Sequence, residues 1–130
     1  MIDRRLLFRL AFWAALAFAV IMAVLPQPPH TPVDQFGDKF EHMLAFGTLS
    51  VLAVLGYAET PLLRIGERLS FLGAMIELVQ SIPALRRDCD IRDWFADTLM
   101  VVLVLLVTAL ARRFRAPGAA LSSRSTRPNR

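Results

Sequence analysis

The sequence has one cysteine, Cys89, and only six glycines among its 130 residues. A single cysteine cannot form an internal disulfide, which excludes a disulfide-stabilised scaffold, and glycines without a repeating period exclude a collagen-like fibre. Charged residues make up 20% of the chain and form no long charged helix, which excludes a coiled coil. The formal net charge is +4, but no basic stripe lies beside aromatic residues, so nucleic-acid binding is not indicated.

The chain instead contains long apolar runs. Hydrophobic residues account for 55% of it and the mean hydropathy is +0.49, whereas soluble domains are roughly 45–50% apolar. Residues 6–25, 40–58 and 94–111 each have the length needed to cross a hydrocarbon core of about 30 Å. A secretory signal peptide is an alternative for 6–25, because two arginines precede it, but the run is longer than a usual signal-peptide core.

A further span over 62–82 is predicted from charge rather than from hydropathy alone. Its uninterrupted apolar part is short, and the span is long enough only if Arg64 and Arg68 snorkel to the membrane surface. With four spans, eleven basic residues lie on one side of the membrane and four on the other. The positive-inside rule therefore favours four spans with both termini in the cytoplasm.

The predicted fold is an all-α integral membrane four-helix bundle. It occupies residues 1–111, with spans at about 6–25, 40–58, 62–82 and 94–111. Residues 112–130 carry six arginines together with proline and serine and show no apolar periodicity. This composition predicts a basic, disordered cytoplasmic tail.

The predicted topology brings polar residues together at the outer membrane surface, because the second and fourth spans begin there and the third ends there. Several of these residues are spaced three or four apart, so that the members of each pair share one helix face. The candidate ligand-binding residues are Asp38, Lys39, His42, Glu77, Gln80, Arg87, Asp93 and Asp97.

Simpler structural roles are open for most of these residues. Asp38 has the residue type of a helix N-cap, with Glu41 three residues later. Acidic residues at the start of the fourth span also fit the helix dipole. Glu77 is different, because it lies about 7.5 Å inside the end of its helix, where an ionisable group marks function or a buried ion pair to Arg87 or Lys39.

Three motifs occur in order along this part of the chain. D-K-x-x-H-x-x-x-F-x-x-L begins at Asp38, E-x-x-Q begins at Glu77, and R-x5-D begins at Arg87. In this order and spacing the chain resembles the VanZ-like membrane proteins over about half of its length. It departs from their pattern at Asp97, where asparagine is usual, and at Met100, where a glycine often follows.

The resemblance implies a small multi-pass protein of the bacterial cytoplasmic (inner) membrane. The family is named for a member associated with low-level teicoplanin resistance, so an antibiotic-resistance role in the cell envelope is implied, but no mechanism. The expected partners are membrane lipid and an amphiphilic, glycopeptide-type or lipid-linked cell-wall ligand. A homodimer or a complex with another membrane protein is also expected, since four short helices bury little surface among themselves.

A binding protein is favoured over an enzyme. The chain lacks H-E-x-x-H, G-x-S-x-G and P-loop motifs, so no metal and no cofactor are predicted. One alternative is a membrane-embedded hydrolase or transferase, with Glu77 or Asp93 as general base and His42 as its partner or as a metal ligand with Asp38 and Asp97. Another is a small accessory subunit of a membrane complex, in which the polar cluster is an ion-pair network.

Overall fold

The structure is a computed structural model that describes residues 3–26, 28–30, 32, 34–87 and 89–115. The described part of the chain is all-helical, as predicted, and contains four α-helices and two short 3-10 turns. The α-helices are α1 (Arg4–Val24), α2 (Asp38–Gly56), α3 (Leu62–Gln80) and α4 (Ile91–Arg115), and the 3-10 turns are Asp34–Phe36 and Pro83–Leu85.

The helix starts are set by local capping. α1 begins at Arg4 because the Asp3 carboxylate accepts a hydrogen bond from the backbone N–H of Arg5 at 3.0 Å. α2 begins after Gly37, whose φ of 89° is easily adopted only without a side chain. Asp38 is therefore the first residue inside the helix and makes no side-chain cap, so its interpretation as an N-cap is wrong.

The fourth helix is longer than the sequence predicted. It starts at Ile91 rather than at residue 94, because the Asp90 carboxylate accepts the backbone N–H of Arg92 at 2.9 Å. It also continues to Arg115, so that its last turn contains three arginines of the predicted tail. Cations at a helix C-terminus are stabilised by the helix dipole, which explains the extension. The remainder of the predicted disordered tail, 116–130, lies outside the described residues.

Contacts at the two ends of the bundle fix its antiparallel order. At one end, Arg9 Nε donates to the carbonyl of Gly56 at 2.8 Å, which joins the start of α1 to the end of α2. At the other end, Gln80 Nε2 donates to the carbonyl of Ala23 at 3.0 Å, which joins the ends of α3 and α1. We call these the Arg9 end and the polar end. α2 and α4 both begin at the polar end.

The core is small and lies mainly on α2 and α3. α2 packs against α1 on one side and α4 on the other, and α3 packs mainly against α4. The buried apolar side chains are Phe46, Leu49, Ala53, Ile65, Leu69, Ile76 and Val101. Because so few large apolar residues are enclosed, most of the others face outward.

That outward apolar surface fits a membrane environment. Three helices, α1, α2 and α4, are long and apolar enough to cross a membrane, as judged by length and composition. Large side chains such as Trp13, Phe18 and Leu106 are more than half exposed on the isolated bundle. In a bilayer these side chains would face lipid tails instead of water. α3 is a helix of 19 residues, which ends two residues before the predicted span 62–82, and it is not among these three apolar helices.

At Met100 the sequence predicts that α4 packs less closely against a neighbouring helix. A Cβ at Gly47 on the facing helix α2 would lie 3.2 Å from Met100 Cγ. The small residue of this contact is therefore on α2, and it leaves space for the methionine of α4.

Candidate functional site

The polar end gathers most of the predicted site residues. α2 contributes Lys39 and His42, α3 contributes Glu77, and α4 contributes Asp93 and Asp97. Direct contacts join α2 to α4. A further contact joins α3 to the loop before α4. The predicted convergence of the polar helix ends requires such contacts. Gln80 lies at the same end but contacts α1 instead of this group.

Lys39 is held between two aspartates. Its Nζ lies 2.9 Å from Asp93 Oδ1 and 3.2 Å from Asp90 Oδ2. Asp93 is 4% exposed, whereas the lysine side chain is half-exposed. The pKa of Asp90, in the loop before α4, is lowered first by the backbone N–H of Arg92 and also by the Lys39 ammonium. Asp90 thus faces the lysine as a carboxylate.

His42 and Asp97 form a buried pair between α2 and α4. His42 Nδ1 lies 3.2 Å from Asp97 Oδ2, and the Asp97 side chain is completely buried. The other oxygen, Oδ1, has no hydrogen-bond partner among the described residues. The Asp97 carboxylate places a negative charge behind the ring. This charge favours a ring that carries its proton on Nδ1 and presents Nε2.

Glu77 reaches the loop that leads into α4. Its Oε2 accepts the backbone N–H of Asp90 at 3.0 Å, and the residue is 5% exposed. Its Oε1 has no hydrogen-bond partner among the described residues. The structure does not contain the alternative ion pair with Arg87 or Lys39 among its described contacts. Glu77 instead holds the loop in place through a charge-assisted hydrogen bond.

A cavity of about 320 Å³ opens between α1 and α2 beside this group. Its walls along the helices are apolar, and its polar lining is concentrated at the polar end of the bundle. The polar lining residues are Asp38, Glu41, His42 and Arg87, together with Thr48 deeper along α2. Arg87 Nη2 lies 3.9 Å from Asp38 Oδ1 at this rim. The cavity is thus apolar at one end and charged at the other.

The small-residue face of α1 forms part of this cavity. Ala15, Ala19 and Ala23 recur every four residues, a pattern typical of close helix packing. In the structure all three line the cavity, opposite α2 residues such as Ala45. The short side chains therefore leave space between the helices, a role that the sequence pattern does not distinguish from close packing.

Three residues at the polar end have the geometry of a cation site. One ligand atom each from Asp38, His42 and Asp93 lies within 4.8 Å of the other two. Carboxylate oxygen and imidazole nitrogen are common ligands of divalent transition metals. The sequence predicted that these residues would converge and named Asp38 and His42 as metal ligands in the enzyme alternative, but with Asp97 as the third ligand where the structure brings Asp93.

Sequence reasoning also missed Asp90, which contacts Lys39 through its carboxylate and Glu77 through its backbone. A run of Asp, Arg and Cys residues in this loop gave no reason to select one of them. The one available signal was its position before α4, which is typical of a helix N-cap.

Comparison with known proteins gives no relative for this chain. No family model, no curated protein and no solved structure matches it significantly.

Proposed function

We propose that the chain is a VanZ-like cell-envelope protein that binds an amphiphilic ligand at the outer leaflet of the bacterial cytoplasmic membrane. The cavity between α1 and α2 carries this proposal, because it joins apolar walls to a charged rim. An apolar tail would lie along the α1 alanines. A polar headgroup, glycopeptide-type or lipid-linked, would meet Arg87 and His42.

The proposal includes four membrane spans, with α3 as the fourth. α3 has the same length as α2 and packs beside α4. Its outward side chains are large and apolar, since Leu63, Phe71 and Leu78 are each at least 60% exposed. Such a surface is costly in water and favourable against lipid. The charged residues Arg64 and Arg68 lie in the first turns, from which they reach the membrane surface by snorkelling.

In this orientation the Arg9 end faces the cytoplasm and the polar end faces outward. The start of α1, the start of α3 and the end of α4 all carry arginines at the Arg9 end. The polar end has a mixed set of acids and bases. This distribution follows the positive-inside rule and puts the cavity rim at the outer leaflet.

Binding can be tested on the purified full-length protein in nanodiscs, titrated separately with teicoplanin and with a polyprenyl diphosphate. Ala19→Trp would fill the apolar part of the cavity, and Arg87→Ala would remove the cation from its rim. Losing a hydrogen bond to a charged group costs about 1.5–3 kcal/mol, so Arg87→Ala should weaken binding roughly 10- to 150-fold.

Two matched controls separate the cavity from the lipid-facing and loop surfaces. Ala17→Trp puts the same bulk on the exposed side of α1, and Arg92→Ala removes an exposed arginine of the same region. Both controls should bind like the wild type. Equal affinity in Ala19→Trp, Ala17→Trp and the wild type would contradict the proposal and favour the accessory-subunit alternative.

A hydrolase or transferase is the second candidate, and the His42–Asp97 pair is the observation that favours it. A base oriented by a buried carboxylate is a recurring feature of catalytic sites. His42 also lines the cavity in which a lipid headgroup would lie. Release of phosphate from polyprenyl diphosphate, abolished by His42→Ala, would support this function, and absence of turnover would exclude it for this substrate.

A further inference from the structure

Three carboxylic side chains are buried close together at the polar end, and basic residues contact two of them. Glu77, Asp93 and Asp97 are each no more than 5% exposed. Asp93 has the Lys39 ammonium and Asp97 has His42, whereas the described hydrogen-bond partners of Glu77 are the backbone N–H of Asp90 and the Cys89 thiol. Buried carboxylates are costly unless they are paired or coordinate a metal ion. The polar end therefore has the electrostatics of a cation site.

Polar contacts at this end involve one atom of each of three residues. Arg87 lies on the Oδ1 side of Asp38, Asp97 holds Nδ1 of His42, and Lys39 holds Oδ1 of Asp93. Among the described residues, these contacts do not involve Oδ2 of Asp38, Nε2 of His42 or Oδ2 of Asp93. The three residues are the ones whose ligand atoms come within 4.8 Å of one another.

Asp97 supplies an observation that is independent of this cluster. It is completely buried, contacts His42 through Oδ2, and has no hydrogen-bond partner for Oδ1 among the described residues. A ligating histidine almost always donates its second ring N–H to a carboxylate, carbonyl or water. A buried aspartate with one oxygen on the ring fits the position of that outer carboxylate.

We propose that Asp38, His42 and Asp93 bind a divalent transition-metal ion of the Mn²⁺ or Zn²⁺ class, with Asp97 orienting His42. One imidazole and two carboxylates suit such ions better than Ca²⁺ or Mg²⁺, which prefer oxygen ligands alone. Asp38 is half-exposed and can rotate toward the ion, whereas His42 and Asp93 are held in place.

The ion also identifies a headgroup class, and this part rests on the proposed amphiphile-binding function. Three protein ligands leave at least one coordination position open to a ligand oxygen. Asp38 and His42 line the cavity rim together with Arg87, so the open position and the guanidinium face the same space. A metal ion and an arginine together favour a phosphate or diphosphate group. The ligand would thus be a lipid phosphate instead of an uncharged amphiphile.

The metal site is tested without any lipid phosphate, by titrating the full-length protein in a sugar-based detergent with Mn²⁺ and following the free ion by electron paramagnetic resonance. The wild type should bind about one ion per chain, since three ligands form one site. Asp38→Asn and His42→Ala should abolish this binding. Asp97→Asn should weaken it roughly 10- to 100-fold, as loss of an outer carboxylate does.

Matched controls lie elsewhere in the same chain. His30 forms a similar contact with Asp34 at 3.0 Å, but its side chain is fully exposed. His30→Ala should leave Mn²⁺ binding unchanged, because His30 lies outside the triad. Asp38 is half-exposed, so Asp38→Asn tests the site even if a buried substitution unfolds the protein. Mn²⁺ binding that survives Asp38→Asn, or no binding by the wild type, would overturn the metal site.

A second titration separates this inference from the proposed function. Polyprenyl phosphate and uncharged polyprenol are each titrated with and without Mn²⁺. Cation-dependent binding of the phosphate alone supports the inferred headgroup class. Binding of an amphiphile without any Mn²⁺ site overturns the inference and leaves the proposed function intact. If the protein binds Mn²⁺ but neither lipid, the metal site is supported and the proposed amphiphile binding is contradicted.

Discussion

Gly73 gives the sharpest test of how the polar end is packed. It lies on α3 where that helix meets α2 and α4. A Cβ added at this position would lie 3.3 Å from Trp94 Cδ1 and 3.4 Å from both Asp97 Oδ2 and Phe46 Cζ. These neighbours are not free to move, because the Trp94 indole N–H donates to an α3 carbonyl at 3.0 Å and Asp97 is bonded to His42.

We expect Gly73→Ala to destabilise the protein. Overpacking a filled site costs about 1–3 kcal/mol, and the better helix propensity of alanine returns about 1 kcal/mol. The net loss should be about 1 kcal/mol, the middle of the range that these two effects allow. The added methyl group would also contact Asp97 Oδ2 and so change the surroundings of its hydrogen bond to His42.

Gly66→Ala is the matched control on the same helix. A Cβ there would lie 2.9 Å from Leu105 Cδ1, which is closer than any of the contacts at Gly73. Leu105 Cδ1, however, is the end of a flexible, partly exposed side chain. Rotation of the leucine relieves this contact, so Gly66→Ala should be neutral or stabilising. Stability is measured by denaturant titration in detergent, with circular dichroism as the readout. The signals of the His42 ring are measured by ¹⁵N NMR. If Gly73→Ala is as stable as Gly66→Ala and leaves the ring signals unchanged, the packing deduced here is wrong.

Three further predictions concern the rest of the bundle. Gly56→Ala should loosen the Arg9 end and lower stability by about 1–3 kcal/mol in the same titration, because its Cβ would meet the backbone of Arg9 at 3.2 Å. Trp94→Phe should cost about 1 kcal/mol through its lost hydrogen bond, and Trp13→Phe, whose hydrogen bond is exposed, should cost less. Cys89 should react with an impermeant maleimide in intact cells, as an outward-facing polar end requires.

The rate of that labelling reaction carries separate information. The pKa of the exposed Cys89 thiol is raised, first by partial desolvation of the thiolate and then by the negative charge of Glu77. A raised pKa lowers the thiolate fraction near pH 7, so labelling should be slower than for a simple thiol and should accelerate in Glu77→Gln. Labelling only after cell lysis would contradict the orientation, whereas an unchanged rate in Glu77→Gln would contradict the electrostatic link.

The helices were predictable from sequence because their apolar runs are long and their flanks are polar. The alternating direction of successive helices also predicted that Lys39 and Asp93 would lie at the same end. The exact contacts were not predictable. An ion pair of Glu77 with Arg87 or Lys39 was one of two alternatives, but Glu77 accepts the backbone N–H of Asp90 instead. That contact depends on the path of the loop before α4, where Arg86 has a left-handed backbone with φ of 50°, a conformation that residue type did not signal.

The helix ends depend on local sequence, whereas the cavity depends on how the helices pack together. Helix ends moved by a few residues because caps, such as Asp3 and Asp90, decide where a helix starts. The cavity could not be found in this way, because it depends on the distance between α1 and α2. An alanine repeat is consistent with close packing and with a gap, and only the position of the facing helix distinguishes the two.

The cavity exists because α1 is anchored at both ends and has short side chains between them. Arg9 holds one end through the Gly56 carbonyl, and Gln80 holds the other through the Ala23 carbonyl. Ala19 lies between these anchors and does not fill the space to α2. A larger side chain at Ala19 adds contacts without disturbing either anchor, and packing is the main source of helix association in a membrane. Loss of ligand in Ala19→Trp with stability retained would therefore report an occupied cavity and not a damaged fold.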